Sequence, residues 1–185
     1  SAHPSPVAQL VGWLNQIGRG ADALAWVRTL PPELTGKPPA VVVVAESFRQ
    51  TSDWAGLNTW VTGGDWDRDV EFIRVAYGML AARQLGNVAR ADELWRTLQS
   101  DAQAISGHAL FAASTLYTWG WRNEALILLE MASNQAGVAL EALGALARHY
   151  QTLRNAEGQY RIFRRLQALR AQDASIINNF VLFAT

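Results

Sequence analysis

The stretch GNVARADELWRTL, residues 86–98, decides how this chain is read. Five residues after its glycine stands Ala91, then Trp95 and Leu98, an apolar spacing of four and three that suits one face of a helix. Gly120, 34 residues later, opens the same pattern with Ala125, Leu129 and Ala132. Gly18, 68 residues earlier, opens it with Ala23, Val27 and Leu30. Self-similarity at such a fixed spacing marks a helical repeat, and the recurring glycine suits a turn that needs unusual dihedrals.

Extending the 34-residue frame outward gives repeats at 4–37, 38–71, 72–105, 106–139 and 140–173, with a stub over 174–185. The first half of each repeat carries an apolar stripe at i, i+3, i+4 and i+7, one helix face. The stripes are Val7, Leu10, Val11, Leu14; then Val41, Val44, Ala45, Phe48; then Val75, Gly78, Met79, Ala82. They continue as Ala109, Ala112, Ala113, Leu116; Leu143, Leu146, Ala147, Tyr150; and, in the stub, Ile177, Phe180, Val181, Ala184. No insertion is needed anywhere. Val41 to Val44 is β-branched and reads locally as a strand, but it lies in frame with the other first helices and follows Pro38-Pro39, a helix-start signal. A helix is therefore predicted there. Asp53, Asp65 or Asp67, and Asp173 are the expected helix caps.

The pattern resembles the tetratricopeptide repeat family over nearly the whole chain. The resemblance rests on Ala45, Ala113 and Ala147 at the small position where paired helices cross, and on Gly18, Gly86 and Gly120 at the turn. It also rests on Ala23, Ala91 and Ala125 early in the second helix, on Tyr150 and Phe163 at aromatic positions, and on Asp173-Ala174 before the stub. It implies an all-α, right-handed α-solenoid of antiparallel helix pairs, five repeats plus a half-repeat stub, in one domain over residues 1–185. The departures carry expectations of their own. Repeat two has Ser52 at the turn, Leu57 for the early alanine, and Gly63-Gly64 late, which predicts a short or frayed second helix. Repeat five has Arg154 and Gln159 at the same two places, and Gly158 is expected to supply the missing small residue through a slight helix shift.

Composition excludes several function classes. Half of the 185 residues are hydrophobic and 17% are charged, which is globular rather than disordered composition. Sixteen basic residues balance sixteen acidic ones, so no net field favours nucleic acid or an anionic membrane. There is no cysteine, hence no disulfide and no thiolate ligand or nucleophile, and the compartment stays open. No apolar run approaches the roughly 18 residues of a membrane span, and the start does not read as a signal peptide.

The candidate sites are weak. Asp65 to Glu71 is acid-rich, but Val70 and Ala76 stand where a calcium loop needs Gly and Glu, so acids at a helix start are expected instead. His3, His108 and His149 form no i, i+4 pair, and His108 and His149 are expected to be surface or partly buried polar residues. Ser106-Gly107-His108 is no nucleophile elbow, and Gly63-Gly64 lacks the Lys and Ser/Thr of a phosphate loop. No catalytic, metal or cofactor site is expected, and the chain is read as a non-enzyme. The eight tryptophans are expected to pack between helices rather than form a binding surface. The arginine-rich fifth repeat (Arg148, Arg154, Arg161, Arg164, Arg165, Arg170) reads as a solvated face or a contact to an acidic neighbour rather than a nucleic-acid surface.

What remains is an interaction scaffold. In a stack of such pairs the first helices line a concave groove, and the resemblance implies that the groove holds a peptide or a partner helix. The side away from the core stripe offers Glu46, Arg49, Gln50, Ala76, Arg83, Gln84, Ser114, Tyr117, Gly144, Arg148, Gln151 and Asn178. Arg49, Arg83 and Arg148 are expected to form a ladder that accepts carboxylates. The paired Lys and Asn clamp of some family members is absent. The stub's uncovered Ile176, Ile177, Phe180, Val181, Leu182 and Phe183 imply a piece of a longer protein, or a homo-oligomer joined through that C-terminal helix. A regulatory or targeting domain of a larger enzyme, or a self-associating assembly element, is the alternative.

Overall fold

Eleven α-helices build the computed structural model, which describes residues 5–64, 66–105 and 107–169. They are α1 (Pro6–Gln16), α2 (Gly20–Val27), α3 (Pro32–Thr35), α4 (Ala40–Gln50), α5 (Trp54–Gly63) and α6 (Glu71–Gln84). The series continues with α7 (Val88–Ala104), α8 (His108–Thr118), α9 (Arg122–Ala132), α10 (Ala139–Thr152) and α11 (Ala156–Leu169). A short 3-10 turn, Arg68–Val70, precedes α6. No strand occurs among the described residues, so the fold is all-helical. The stub, Asn178 within it, and the caps expected at Asp65 and Asp173 lie outside the described residues.

The helix boundaries keep the 34-residue step. First helices end at Gln16, Gln50, Gln84, Thr118 and Thr152, and second helices begin at Gly20, Trp54, Val88, Arg122 and Ala156. One turn explains both series. Its middle residue is left-handed each time: Gly18 (φ 74°), Ser52 (56°), Gly86 (77°), Gly120 (84°) and Arg154 (54°). The next N–H reaches back across the turn: Arg19 N to Leu14 O at 2.8 Å, Asp53 N to Phe48 O at 3.0 Å, Asn87 N to Ala82 O at 2.8 Å. Trp121 N to Leu116 O and Asn155 N to Tyr150 O, both at 2.9 Å, complete the set. This Schellman closure satisfies carbonyls that a helix end leaves orphaned. Ser52 and Arg154 therefore take glycine's backbone without glycine's freedom, at a cost of about 1–2 kcal/mol each. The second helix then starts on a side-chain cap where the sequence allows one. Asp53 Oδ1 accepts from Gly56 N at 2.9 Å, Asn87 Oδ1 from Arg90 N at 3.1 Å, and Asn155 Oδ1 from Gly158 N at 2.8 Å.

Each such turn folds a helix back on its predecessor. Trp60 Nε1, near the end of α5, donates to Val41 O, near the start of α4, at 2.9 Å, so these two helices run antiparallel. The valine run is helical as expected, with Val41, Val44 and Ala45 fully buried in α4. At 10 residues α5 is shorter than α7 (17) and α11 (14), in keeping with Gly63-Gly64. The shortest second helix is α2, which stops at Val27 ahead of Pro31-Pro32 and is followed by the one-turn α3.

A size rule runs through the pairs. Frame positions 14, 48, 82, 116 and 150 carry Leu14, Phe48, Ala82, Leu116 and Tyr150. Eight residues on stand Asp22, Gly56, Arg90, Glu124 and Gly158, so glycine occurs only opposite an aromatic ring. A Cβ on Gly158 would lie 2.5 Å from Tyr150 Cδ1, and one on Gly56 would lie 2.7 Å from Phe48 Cε1. The expectation for Gly158 is thus corrected. Helix α11 starts in frame without a shift, Gly158 makes room for the Tyr150 ring, and Gln159 is itself buried.

The chain divides into two compact units, residues 1–98 and 99–185. In the first, α1, α2 and α4 share a core of Val7, Val11, Leu14, Ala23, Leu24, Val27 and Val44. In the second, buried Ala113, Leu116, Ala125, Leu128, Leu143, Leu146 and Ile162 come from α8 to α11. The buried stripe of α7 is Ala91, Leu94, Leu98 and Ala102. Trp95, placed on that stripe by its spacing, lies one residue off it and is only half-buried. Seven of the eight tryptophans are at least partly covered, and Trp13 alone is exposed.

Candidate partner-binding surface

In the N-terminal unit Glu46, Arg49 and Gln50, all expected in the groove, are engaged with one another. Glu46 receives both ends of the Arg49 guanidinium, at 2.8 and 2.6 Å, and the Tyr77 hydroxyl from α6 at 3.0 Å. Gln50 Nε2 donates to Asn15 O of α1 at 3.1 Å and to Glu46 at 3.3 Å. Beneath them the buried Ser47 hydroxyl donates to Asn15 Oδ1 at 2.8 Å. This polar ladder ties α1, α4 and α6 together. The Glu46 hydrogen bonds hold the Arg49 pKa above its ordinary value, and burial followed by the Glu46 charge pushes the Tyr77 phenol well up. Arg49 is therefore already matched by a carboxylate.

Helix α6 offers little surface. Phe72, Ile73 and the run from Val75 to Ala82 are buried, because this helix is apolar nearly all round. Ala76, expected in the groove, is only 1% exposed, and that expectation is corrected. Arg83 and Gln84, in the last turn, are exposed.

The C-terminal unit is different. Two first helices, α8 and α10, flank a cleft of about 300 Å3. Helix α8 contributes Leu110, Ser114, Tyr117 and Thr118, spaced i, i+4, i+7, i+8. Helix α10 contributes Glu141, Ala145, Arg148, His149 and Thr152, continuing that spacing to i+11. Each set is one helix face. Ala113 and Leu129 complete an apolar floor. Of the residues expected in the groove, Ser114, Tyr117 and Arg148 come together here, while Gly144 and Gln151 lie on the same helix and do not line the cleft. Arg148 Nη1 lies 3.7 Å from where a Gly144 Cβ would stand, an ordinary contact distance, so the guanidinium lies beside Gly144.

At one end the Tyr117 hydroxyl lies 3.3 Å from His149 Nδ1, with the two rings edge to face. The Arg122 guanidinium stands 6.0 Å over the Tyr117 ring. His149 is 6% exposed, and burial, then the Arg122 charge, lowers its pKa. Among the described residues neither Arg148 nor Glu141 has an ion-pair partner. The sequence reading missed His149, Glu141, Thr118 and Thr152, although the i, i+4, i+7, i+8 recurrence that unites them was available in it.

The other singled-out residues serve structure. His108 Nδ1 lies 2.7 Å from Asp101 Oδ2, joining the start of α8 to α7. In the arginine-rich repeat, Arg165 bonds Glu130 at 2.8 Å and Ser133 Oγ at 2.6 Å, and Arg161 lies 3.5 Å from Glu130. That is the expected contact to an acidic neighbour. Among the described residues no helix is long and apolar enough to cross a membrane, and no group of three or more His, Asp or Glu is placed to hold a metal ion. No family model and no curated protein matches this chain.

Proposed function

We propose that the chain is a tetratricopeptide-like solenoid of stacked helix pairs that serves as a protein-interaction scaffold, holding a peptide or partner helix against its first helices. The observation that carries this reading is the α8/α10 cleft, where two first helices 34 residues apart turn one face each toward the same apolar-floored hollow. Its size is at the low end for small-molecule sites and suits a side chain offered by a partner. Of the three arginines expected to accept carboxylates, Arg49 is matched by Glu46 and Arg148 alone lines the cleft, so the role is assigned there to Arg148.

A photo-cross-linking residue at Ser114 tests it, with one at Ile127 of α9, which is 45% exposed, as the control. The Ser114 position yields a discrete protein adduct that purified components reproduce and that Arg148→Ala weakens. The same adducts from both positions, or none from Ser114, reject the reading.

One observation favours end-on association as a second reading. Leu10 and Trp13 of α1, and Ile17 just after its end, are 40%, 52% and 47% exposed. Their frame counterparts in α4 include Val44 and Ser47, which are buried in the packing of α4 on the preceding pair. Sedimentation that shows association lost in Trp13→Glu supports this reading, and a concentration-independent monomer removes it.

A further inference from the structure

The scaffold reading leaves the partner's chemistry open, and the charges at the α8/α10 cleft supply it. Glu141 and Arg148 line the same cleft, point from the same face of α10 and have no ion-pair partner among the described residues. They are seven residues apart, which on a helix is about 10.5 Å along the axis. Arg122, at the start of α9, adds positive charge near Tyr117, at the Arg148 end. Between the two charges the floor is apolar, with Leu110, Ala113, Leu129 and Ala145.

A helix laid in the cleft repeats this ruler. Residues seven apart on it also share a face and also stand about 10.5 Å apart, with the residue three or four along pointing at the floor. An extended strand does not fit, because its residues three apart, at a comparable separation, face opposite sides. We propose that the cleft takes an amphipathic partner helix with an acidic and a basic residue seven positions apart and an apolar residue between them. The acid meets Arg148, the base meets Glu141, and the apolar side chain enters the hollow. The order of the two charges along the partner then sets the direction in which it lies. This inference rests on the proposed scaffold function.

Four synthetic helices test it, identical except at two positions seven apart, with Leu midway: Glu/Lys, Glu/Glu, Lys/Lys and Gln/Gln. Labelled peptides are titrated with the full chain at low salt and followed by anisotropy. The Glu/Lys helix binds tightest, by about three- to tenfold over either same-sign helix, the range of partly exposed ion pairs. Arg148→Glu moves the preference to Lys/Lys, and Glu141→Lys moves it to Glu/Glu. Circular dichroism confirms that both exposed substitutions leave the fold intact. Equal binding of all four helices, or an unchanged ranking in Arg148→Glu, overturns the inference and leaves the scaffold reading standing. Failure of every helix to bind, Gln/Gln included, overturns both.

Discussion

Replacing Gly158 by alanine places two physical effects in opposition. Alanine in a helix is intrinsically better than glycine by about 0.5–1 kcal/mol, so an unobstructed substitution stabilises. Here the new Cβ meets Tyr150 Cδ1 at 2.5 Å, Cγ at 2.7 Å and Cε1 at 2.9 Å. Those atoms include the root of the ring, which cannot move without turning the whole side chain. The ring is also held at its far end, where Arg161 Nη2 donates to the Tyr150 hydroxyl at 2.8 Å and stacks over the ring. Overpacking of this kind costs about 1–3 kcal/mol, so Gly158→Ala is expected to destabilise by about 1–2 kcal/mol net. Tyr150→Leu restores the residue type found at Leu14 and Leu116, whose partners Asp22 and Glu124 carry a Cβ. In that background the sign reverses, and Gly158→Ala stabilises by about 0.5–1 kcal/mol. Urea denaturation of the four proteins measures the cycle. Gly158→Ala more stable than its parent in the Tyr150 background refutes the reasoning.

Two further predictions come from the turns and from the buried histidine. Ser52→Gly and Arg154→Gly each relieve a left-handed non-glycine residue, and each is expected to raise stability by about 0.5–1 kcal/mol in the same assay. The folded-state pKa of His149 is lowered by burial and by Arg122, so the unfolded chain binds more protons there than the folded one. Stability from neutral His149 is present above its unfolded value of about 6.5 and lost as pH falls through the lowered folded value. The melting temperature of the wild type should therefore drop more steeply on acidification from about pH 7.5 to about pH 5.5 than that of His149→Gln, and parallel curves would exclude the effect.

Much of the fold is legible because its repeat signal is covalent spacing. Gly18, Gly86 and Gly120 locate three turns outright, and the frame carries the reading across Ser52 and Arg154, where glycine is absent. The frame also overrides local propensity at Val41 to Val44, which is helical in spite of its β-branched side chains. What spacing does not carry is pairwise fit. Whether Gly158 replaces a small residue or yields to Tyr150 depends on a contact across a turn, and whether Trp95 or Leu94 is inward depends on the rotation of α7. The site was legible by halves. Tyr117 and Arg148 follow from their place opposite the core stripe, and the Arg49–Glu46 pair was open to the i, i+3 rule within α4, but the near-total burial of α6 arises from neighbouring helices that a single-helix pattern cannot see.

The turn that recurs at one fixed step is the claim on which the surface and its partner depend, because it sets which residues α8 and α10 present together. Backbone NMR assignment tests it directly, through carbon shifts and amide–α coupling constants that report the sign of φ. Helical shifts interrupted by a positive φ are expected at residues 18, 52, 86, 120 and 154, serine and arginine included. Continuous helix through Ser52 or Arg154, or extended shifts across Val41 to Val44, would contradict it.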